Sequence, residues 1–346
     1  MKIVGYIILG ILIVLAAIGV WLASVYSFCL KACKMREGFL EGFQGPIDLV
    51  YTWVDGCDEK WRQSQEVWRK RDGHPPISAR RNPTPHLAKD ELFFSVLSVL
   101  KYMPWIRHIY ILTQTPQRPS WLLKDTPRIK VVHHEDVFGK GAALPSFNGI
   151  LNSSQVHRIP DLAEHFIYMD DDIFIGKPLK PGYFFDRQGH PVYKFSMELL
   201  SWFQPSAYAA ILRNTHRLCV KVTKSPWLFR LHHMPNPLTR SACFEVERRL
   251  GQATLEGMLR FRSKTTYEFP FIVANYLLGE GSSRRSPQNF KVGFYEKPGM
   301  KKLQGLKTET SRPHVFCINS GFGKEVSDFF SKEIFPLTAL VKSQTD

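Results

Sequence analysis

Between residues 47 and 170, β-branched and aromatic runs alternate with amphipathic segments, and this alternation constrains the fold more than any other feature. The runs "IDLVYTWV" (47–54), "RHIYILT" (107–113), "RIKVVHH" (128–134) and "HFIYMD" (165–170) read as strands. "DEKWRQSQEVWRKR", with Trp61 and Trp68 at helical spacing, and "KDELFFSVLSVLKYM", acidic in its first turn and basic in its last, read as helices. A further helical stretch is expected near Ser146 to Arg158. Strands alternating with helices imply an α/β fold with a largely parallel sheet. The second half reads as more helical, through "SAYAAILRNTHRLCVKV", "SACFEVERRLGQATLEGMLRF" and "FPFIVANYLL". It closes with strands "FKVGFY" and "HVFCIN" and a last helix around Lys324 to Glu333.

Ahead of this lies an uncharged stretch from Ile3 to Leu30. As a helix it would be about 42 Å long, against a hydrocarbon core of about 30 Å. Trp21, Tyr26 and Phe28 fall near its C-terminal end, where aromatic rings favour the membrane interface. Residues 1–30 are therefore expected to be a single-pass transmembrane anchor rather than a cleaved signal peptide, whose apolar part is usually shorter. Lys31, Lys34 and Arg36 follow the span and Lys2 precedes it, which leaves a cytosolic or a Golgi-lumenal orientation open. Residues 31–45 read as a linker broken by Gly38, Gly42 and Gly45, and 46–346 as one catalytic domain.

The formal charge is +15, with basic doublets spread along the chain at Arg80-Arg81, Arg248-Arg249, Arg284-Arg285 and Lys301-Lys302. That suits an anionic small substrate or an anionic lipid surface. No nucleic-acid partner is expected, because no zinc-finger spacing, RNP-like aromatic motif or bZIP pattern is present. The cysteines (Cys29, Cys33, Cys57, Cys219, Cys243 and Cys317) include no CxxC pair, so neither a zinc site nor a disulfide framework is expected.

The chemistry concentrates at "FIYMDDDIFIG", where an apolar run ends in Asp170, Asp171 and Asp172 and then resumes. In open α/β sheets ligands sit beyond the carboxyl ends of the strands. Three adjacent carboxylates repel one another unless a divalent cation neutralises them, and Mg²⁺ is typically held by one or two carboxylates plus substrate phosphates. Taken alone, the triplet is equally compatible with a solvated acidic turn.

Its company is more specific. "IDLVYTWVDGCD", "DELFFSVLSVLKYMPWIRHIYILT", "LPSFNGILNSSQVHRIP" with "FIYMDDDIFIG", "HHMPNPLTR" with "RFRSKTTYEFPF", and "HVFCIN" occur in that order. Together they closely resemble the conserved regions of the Stealth family of sugar-1-phosphate transferases, over most of residues 46–320. That family includes bacterial capsule polymerases and the lysosomal-enzyme N-acetylglucosamine-1-phosphotransferase. The resemblance implies a Rossmann-like nucleotide-sugar-binding core using Mg²⁺ or Mn²⁺. It implies transfer of a hexose 1-phosphate, often N-acetylglucosamine 1-phosphate, from a UDP-sugar to a hydroxyl of a polysaccharide or glycoprotein glycan, with release of UMP. A metal-dependent glycosyltransferase releasing UDP and a non-catalytic, membrane-anchored carbohydrate-binding protein remain as alternatives.

Carried over position by position, the resemblance assigns Asp171, Asp172 and Asn319 to the metal and diphosphate; Asp170 departs from the family's Asn. Asp55 and Glu91 fall in blocks expected to touch the nucleotide or donor, although Asp90 and Glu91 read equally well as a negatively charged helix start. Asp48 reads as a structural cap. His233 matches the family's His-Met-Pro histidine and is expected to remove the acceptor's proton in its neutral form. Arg240 matches the arginine seven residues on, and Arg262 is expected to stabilise phosphoryl oxygens. The family's acidic residue near Thr265, Thr266 and Tyr267 has no match here, and Ser320 stands where an Asp often follows Asn319.

Overall fold

The computed structural model describes residues 6, 9–21, 23, 42–75, 90–139, 144–197, 204–225, 228–252, 254, 257, 259–263, 265–287, 289–319 and 322–336. In chain order its main elements begin with β1 (Ile47–Thr52), α1 (Glu59–Arg71), α2 (Asp90–Tyr102), β2 (Ile109–Thr113), β3 (Ile129–His133) and α3 (Gly149–Ser153). Next come β4 (His165–Asp170), β5 (Ile173–Ile175), β6 (Val192–Tyr193), β7 (Phe195–Met197), α4 (Ala207–Thr223), β8 (Phe229–Leu231) and β9 (Asn236–Thr239). The last are α5 (Arg240–Leu250), α6 (Phe269–Gly279), β10 (Arg284–Arg285), β11 (Val292–Glu296), β12 (Val315–Asn319) and α7 (Lys324–Phe329).

The central sheet has the order β3-β2-β1-β4-β9. Its first four strands run parallel, and β9 is antiparallel to β4. Pro237, which has no N–H for a ladder, is tolerated because β9 is an edge strand. Alternation along the strands sorts side chains into two cores. Leu49, Tyr51, Ile109, Ile111, Ile167 and Met169 pack with α2, β5 and β12 on one face. Val50, Tyr110, Leu112, Phe166 and Tyr168 pack with α4, α5 and α6 on the other. Strands covered on both faces read as nearly continuous apolar runs, which is why they stand out in the sequence.

A second sheet, β11-β12-β5, lies beyond the first. It contains the two closing strands expected from the sequence, while β8 and β9 make the second half less helical than its apolar spacing implies. The helix expected through residues 241–261 stops with α5, because Gly251 takes φ +80°, a left-handed backbone that breaks the helix. The stretch from Ser146 to Arg158 forms two short pieces, α3 and a 3₁₀ turn at Val156–Arg158.

Asp48 is fully buried at the start of β1. It accepts from Arg107 Nε at 2.8 Å, His108 N at 3.1 Å and Ala163 N at 2.7 Å, tying β1 to the entries of β2 and β4. Its role is structural. At the N-terminus, residues 9–21 are helical, with Leu9, Leu12, Leu15 and Trp21 exposed. Among the described residues no helix is long and apolar enough to cross a membrane, so the expected spanning helix is not shown; its remainder and linker residues 31–41 lie outside the described residues. Arg80-Arg81, Cys29, Cys33 and Ser320 also lie outside them. The described cysteines, Cys57, Cys219, Cys243 and Cys317, are free thiols.

Candidate active site

The apolar run resumes after the aspartates because the chain changes sheets there. Asp170 ends β4 in the central sheet, Asp171 and Asp172 form the turn, and β5 then pairs antiparallel with β12, Ile173 opposite Cys317. The turn is held from several sides. Ile318 N donates to the main-chain oxygen of Asp172 at 3.0 Å. On α2, Ser98 Oγ accepts from Ile175 N at 2.9 Å, and Ser95 Oγ donates to Ile173 O while pairing with Tyr51 Oη. The serines of the "DELFFSVLSVL" helix thus supply the hydrogen bonds that the open edge of β5 lacks.

A cavity of about 620 Å³ opens at this junction. Asp170, Asp171, Asp172, His233, Arg262 and Asn319 all line it, together with Trp53 beyond β1 and Glu268 before α6. The volume falls within the range of small-molecule sites, and the position is the carboxyl edge of β1 and β4. The sheet's alternation accounts for the facing of Asp170: it shares the face of Tyr168, whose hydroxyl donates to it at 2.5 Å and contacts Thr52 Oγ1 at 3.0 Å.

His233 joins the carboxylates from the segment ahead of β9. Its Nε2 lies 3.3 Å from Asp172 Oδ1 and its Nδ1 lies 3.7 Å from Asp170 Oδ2. Enclosure lowers the imidazole's affinity for a proton, but the hydrogen bond to Asp172 and the charges of Asp170, Asp172 and Glu268 outweigh this and lift it to about 9. The neutral imidazole expected from the sequence is thus not the form these neighbours favour, and both ring nitrogens face carboxylates.

Negative charge is in surplus. Burial, then Asp172 and Asp170, push the Asp171 carboxyl up to about 8. Burial, then Asp171 and Asp172, push Glu91 to about 9. Asp170 is raised by burial and Asp172, against the opposing pull of His233 and Arg262. Such crowding is relieved by a cation. Two ligand sets are available. Asp172, His233 and Cys317 place one ligand atom each within 4.8 Å of one another. The Cys317 thiol, however, is buried and held strongly towards its protonated form by burial and then by Asp172, to which it donates at 3.2 Å. Sulfur is a soft ligand that favours thiophilic metals, whereas the oxygens of Asp171, Asp172 and Asn319 suit Mg²⁺ or Mn²⁺. These residues fit the implied cation.

Some sequence-assigned residues are not brought together. Arg240 is corrected: β9 runs back along β4, with Asn236 opposite Tyr168 and Thr239 opposite His165, so Arg240 stands at the far end of β4 from Asp170. Arg240 N donates to Glu164 O, six residues before Asp170, and at about 3.3 Å per residue that is roughly 20 Å away. Its guanidinium donates to His157 O at 3.0 Å and Leu162 O at 3.2 Å, fastening the loop that leads into β4. Arg240→Ala is expected to lower stability by about 1.5–3 kcal/mol while leaving the turnover of folded protein unchanged. Thermal unfolding and activity per folded molecule check this together. Asp55 is absent from the cavity wall, although Val54 lies on it; its Oδ1 accepts from Cys57 N at 2.9 Å in a local turn. Glu91 is absent from the wall too; it interacts electrostatically with Asp171, Asp172 and Cys317 rather than lining the cavity.

The structure adds Cys317 and Glu268. The signal for Cys317 in the sequence is its two-residue spacing from Asn319, which puts both on one face of β12. Glu268 follows the positions where the resemblance predicts an acid. It sits at the N-cap of α6 yet makes no side-chain capping bond there, and the residue lines the cavity. Thr215 Oγ1 accepts from its main-chain N–H at 2.9 Å, which holds the residue in place.

Known proteins resemble this chain in sequence over most of its length. Residues 45–70 match Stealth protein CR1, conserved region 1, and residues 86–193 match Stealth protein CR2, conserved region 2. A capsular polysaccharide phosphotransferase of Neisseria meningitidis serogroup B is 38% identical over 310 residues, covering 83% of this chain and 79% of that protein. One from Haemophilus influenzae is 34% identical over 292 residues, covering 79% and 78%. An exopolysaccharide phosphotransferase of Streptomyces coelicolor is 33% identical over 299 residues, covering 83% of this chain but 49% of that protein, so the chain spans about half the length of such relatives. With two conserved regions matched and identity of this order across most of the chain, the protein belongs to the Stealth family.

Proposed function

We propose that this protein transfers a hexose 1-phosphate, most simply an N-acetylhexosamine 1-phosphate, from a UDP-sugar to a hydroxyl of a glycan. The products are a phosphodiester and UMP. The observation that carries this reading is the convergence of Asp171, Asp172, Asn319, His233 and Arg262 on one cavity at the carboxyl edge of a parallel sheet. Relatives that bear the names of capsular and exopolysaccharide phosphotransferases support it.

In this reading Asp171, Asp172 and Asn319 would hold Mg²⁺ or Mn²⁺, which when bound would supply positive charge to neutralise the donor's diphosphate. His233 orients Asp172 and adds positive charge beside the phosphoryl group. Arg262 faces the same region, acting on Asp170 and Glu268, and stabilises the oxygens of the phosphorus under attack. The acceptor oxygen attacks the phosphorus attached to the sugar, in line with the departing UMP, so positioning supplies much of the rate. Its proton goes to Glu268, because both nitrogens of His233 are turned to carboxylates while Glu268 stands on the cavity wall without a capping bond. Burial and then Asp170 raise the Glu268 carboxyl, against Arg262, His233 and Arg230, to about 7, which suits a general base. Glu268→Gln is expected to reduce turnover roughly 100-fold or more. A variant within threefold of wild type would return the proton to another group.

The defining experiment incubates the full chain with a panel of UDP-sugars, Mg²⁺ or Mn²⁺ and candidate glycans, and identifies the products by mass spectrometry. A hexosyl-phosphate adduct with UMP, abolished by EDTA and restored by Mn²⁺, is the expected result. Release of UDP with no phosphate in the product would refute the reading. We also read the N-terminal apolar stretch as a bilayer anchor, supported by the exposure of Leu9, Leu12, Leu15 and Trp21. Extraction of the full chain by alkaline carbonate, without detergent, would count against it.

A further inference from the structure

Among the described residues, the buried side-chain polar atoms that lack a hydrogen-bond partner include Trp53 Nε1 and Asn152 Oδ1, which belong to two residues lining the candidate active site. Trp53 is 5% exposed and Asn152 3%. Both positions are fixed by main-chain structure. Trp53 N donates to Leu112 O at 2.9 Å just beyond β1, and Asn152 N donates to Asn148 O at 3.0 Å within α3, which packs against β1. One atom is a hydrogen-bond donor and the other an acceptor. Each left unpaired away from water is destabilising, and a ligand offering the complementary pair removes that penalty.

We infer that Trp53 and Asn152 read a secondary amide on the donor, the indole N–H donating to its carbonyl oxygen and the Asn152 carbonyl accepting from its N–H. This rests on the donor being a uridine nucleotide-sugar, as proposed above. Such a donor carries the –NH–C(=O)– pattern in two places: the imide edge of uracil, and the acetamido group of an N-acetylhexosamine. A plain hexose lacks the second. If the acetamido group is the one read, these two residues set which sugar is transferred. The selection is strong in kind, because a site that hydrogen-bonds a polar group leaves its own buried atoms unpaired when the group is missing.

The test is binding rather than turnover, so that it separates from the reaction itself. Wild-type full chain, Asn152→Ala and Trp53→Phe are titrated by calorimetry, in the presence of Mn²⁺, with UDP-N-acetylglucosamine, UDP-glucose and UMP. Trp53→Phe keeps an aromatic ring while removing the N–H together with the indole's five-membered ring, so it carries the same expectation should Asn152→Ala fold poorly. Each substitution is expected to weaken UDP-N-acetylglucosamine roughly 5- to 100-fold. If the acetamido group is read, UDP-glucose and UMP bind the variants as they bind wild type. If uracil is read, all three ligands weaken together. Variants that bind all three ligands within twofold of wild type would overturn this inference alone. A wild type that binds none of the three would overturn the choice of donor, and this inference with it.

Discussion

Asp172→Ala is expected to lose on the order of 10³-fold in transfer activity while remaining folded. Asp172 is the residue where the interactions of the site meet. It is a ligand in either possible cation set, it accepts from the buried Cys317 thiol at 3.2 Å, and it lies 3.3 Å from His233 Nε2. Removing the carboxylate takes away a metal ligand and releases the histidine in one step. Stability should change little, for two reasons. The bond that pins the turn, from Ile318 N, goes to the main-chain oxygen and survives the substitution. The lost charge is also one of those that raise Asp171 and Glu91, so its removal relieves repulsion inside the fold. An unfolding midpoint within a few degrees of wild type, beside the activity loss, is the expected pair of results. Activity within tenfold of wild type would place the chemistry elsewhere.

The largest effect on stability is expected from Asp48→Ala, about 3 kcal/mol or more, equivalent to a fall in the unfolding midpoint of roughly 5 °C. Asp48 is a fully buried carboxylate that accepts from Arg107, His108 and Ala163, residues on two separate connections. Truncation leaves the main-chain N–H groups of His108 and Ala163 unpaired and the Arg107 guanidinium without its partner. Arg107 is 38% exposed and water would recover part of that loss, so the figure stays at the low end for a buried pair. Because the carboxylate lies at the opposite end of β1 from the cavity, donor affinity of the folded fraction should be unaltered. A variant that melts with wild type would show that the network carries no net stability.

His233 and Arg240 show where reasoning from spacing stops. They occupy one motif, seven residues apart, and a helix would have placed them on the same face. The intervening residues instead form β9, paired antiparallel to β4, and an extended segment carries its two ends apart. Glu268 is the converse case. At the head of a helix an acid reads as a cap, and nothing local distinguishes a carboxylate that closes the helix from one that turns away from it. Asn152 and Trp53 are ordinary residues in the sequence, and their unpaired atoms exist only because the surrounding fold withholds both water and partners.

What the sequence by itself determined was the ladder of elements. Strands buried on both faces must be apolar throughout, helices between them must repeat near 3.6 residues, and the acidic triplet must end a strand. Those are local requirements, satisfied within a few residues of each position. Only the tertiary structure decided which strand ends meet, that the aspartates bridge two sheets, and which of the residues assigned to the site face its cavity. Facing depends on pairing between segments as far apart as Asp172 and Ile318, and contacts at such separation leave no period in the chain to read.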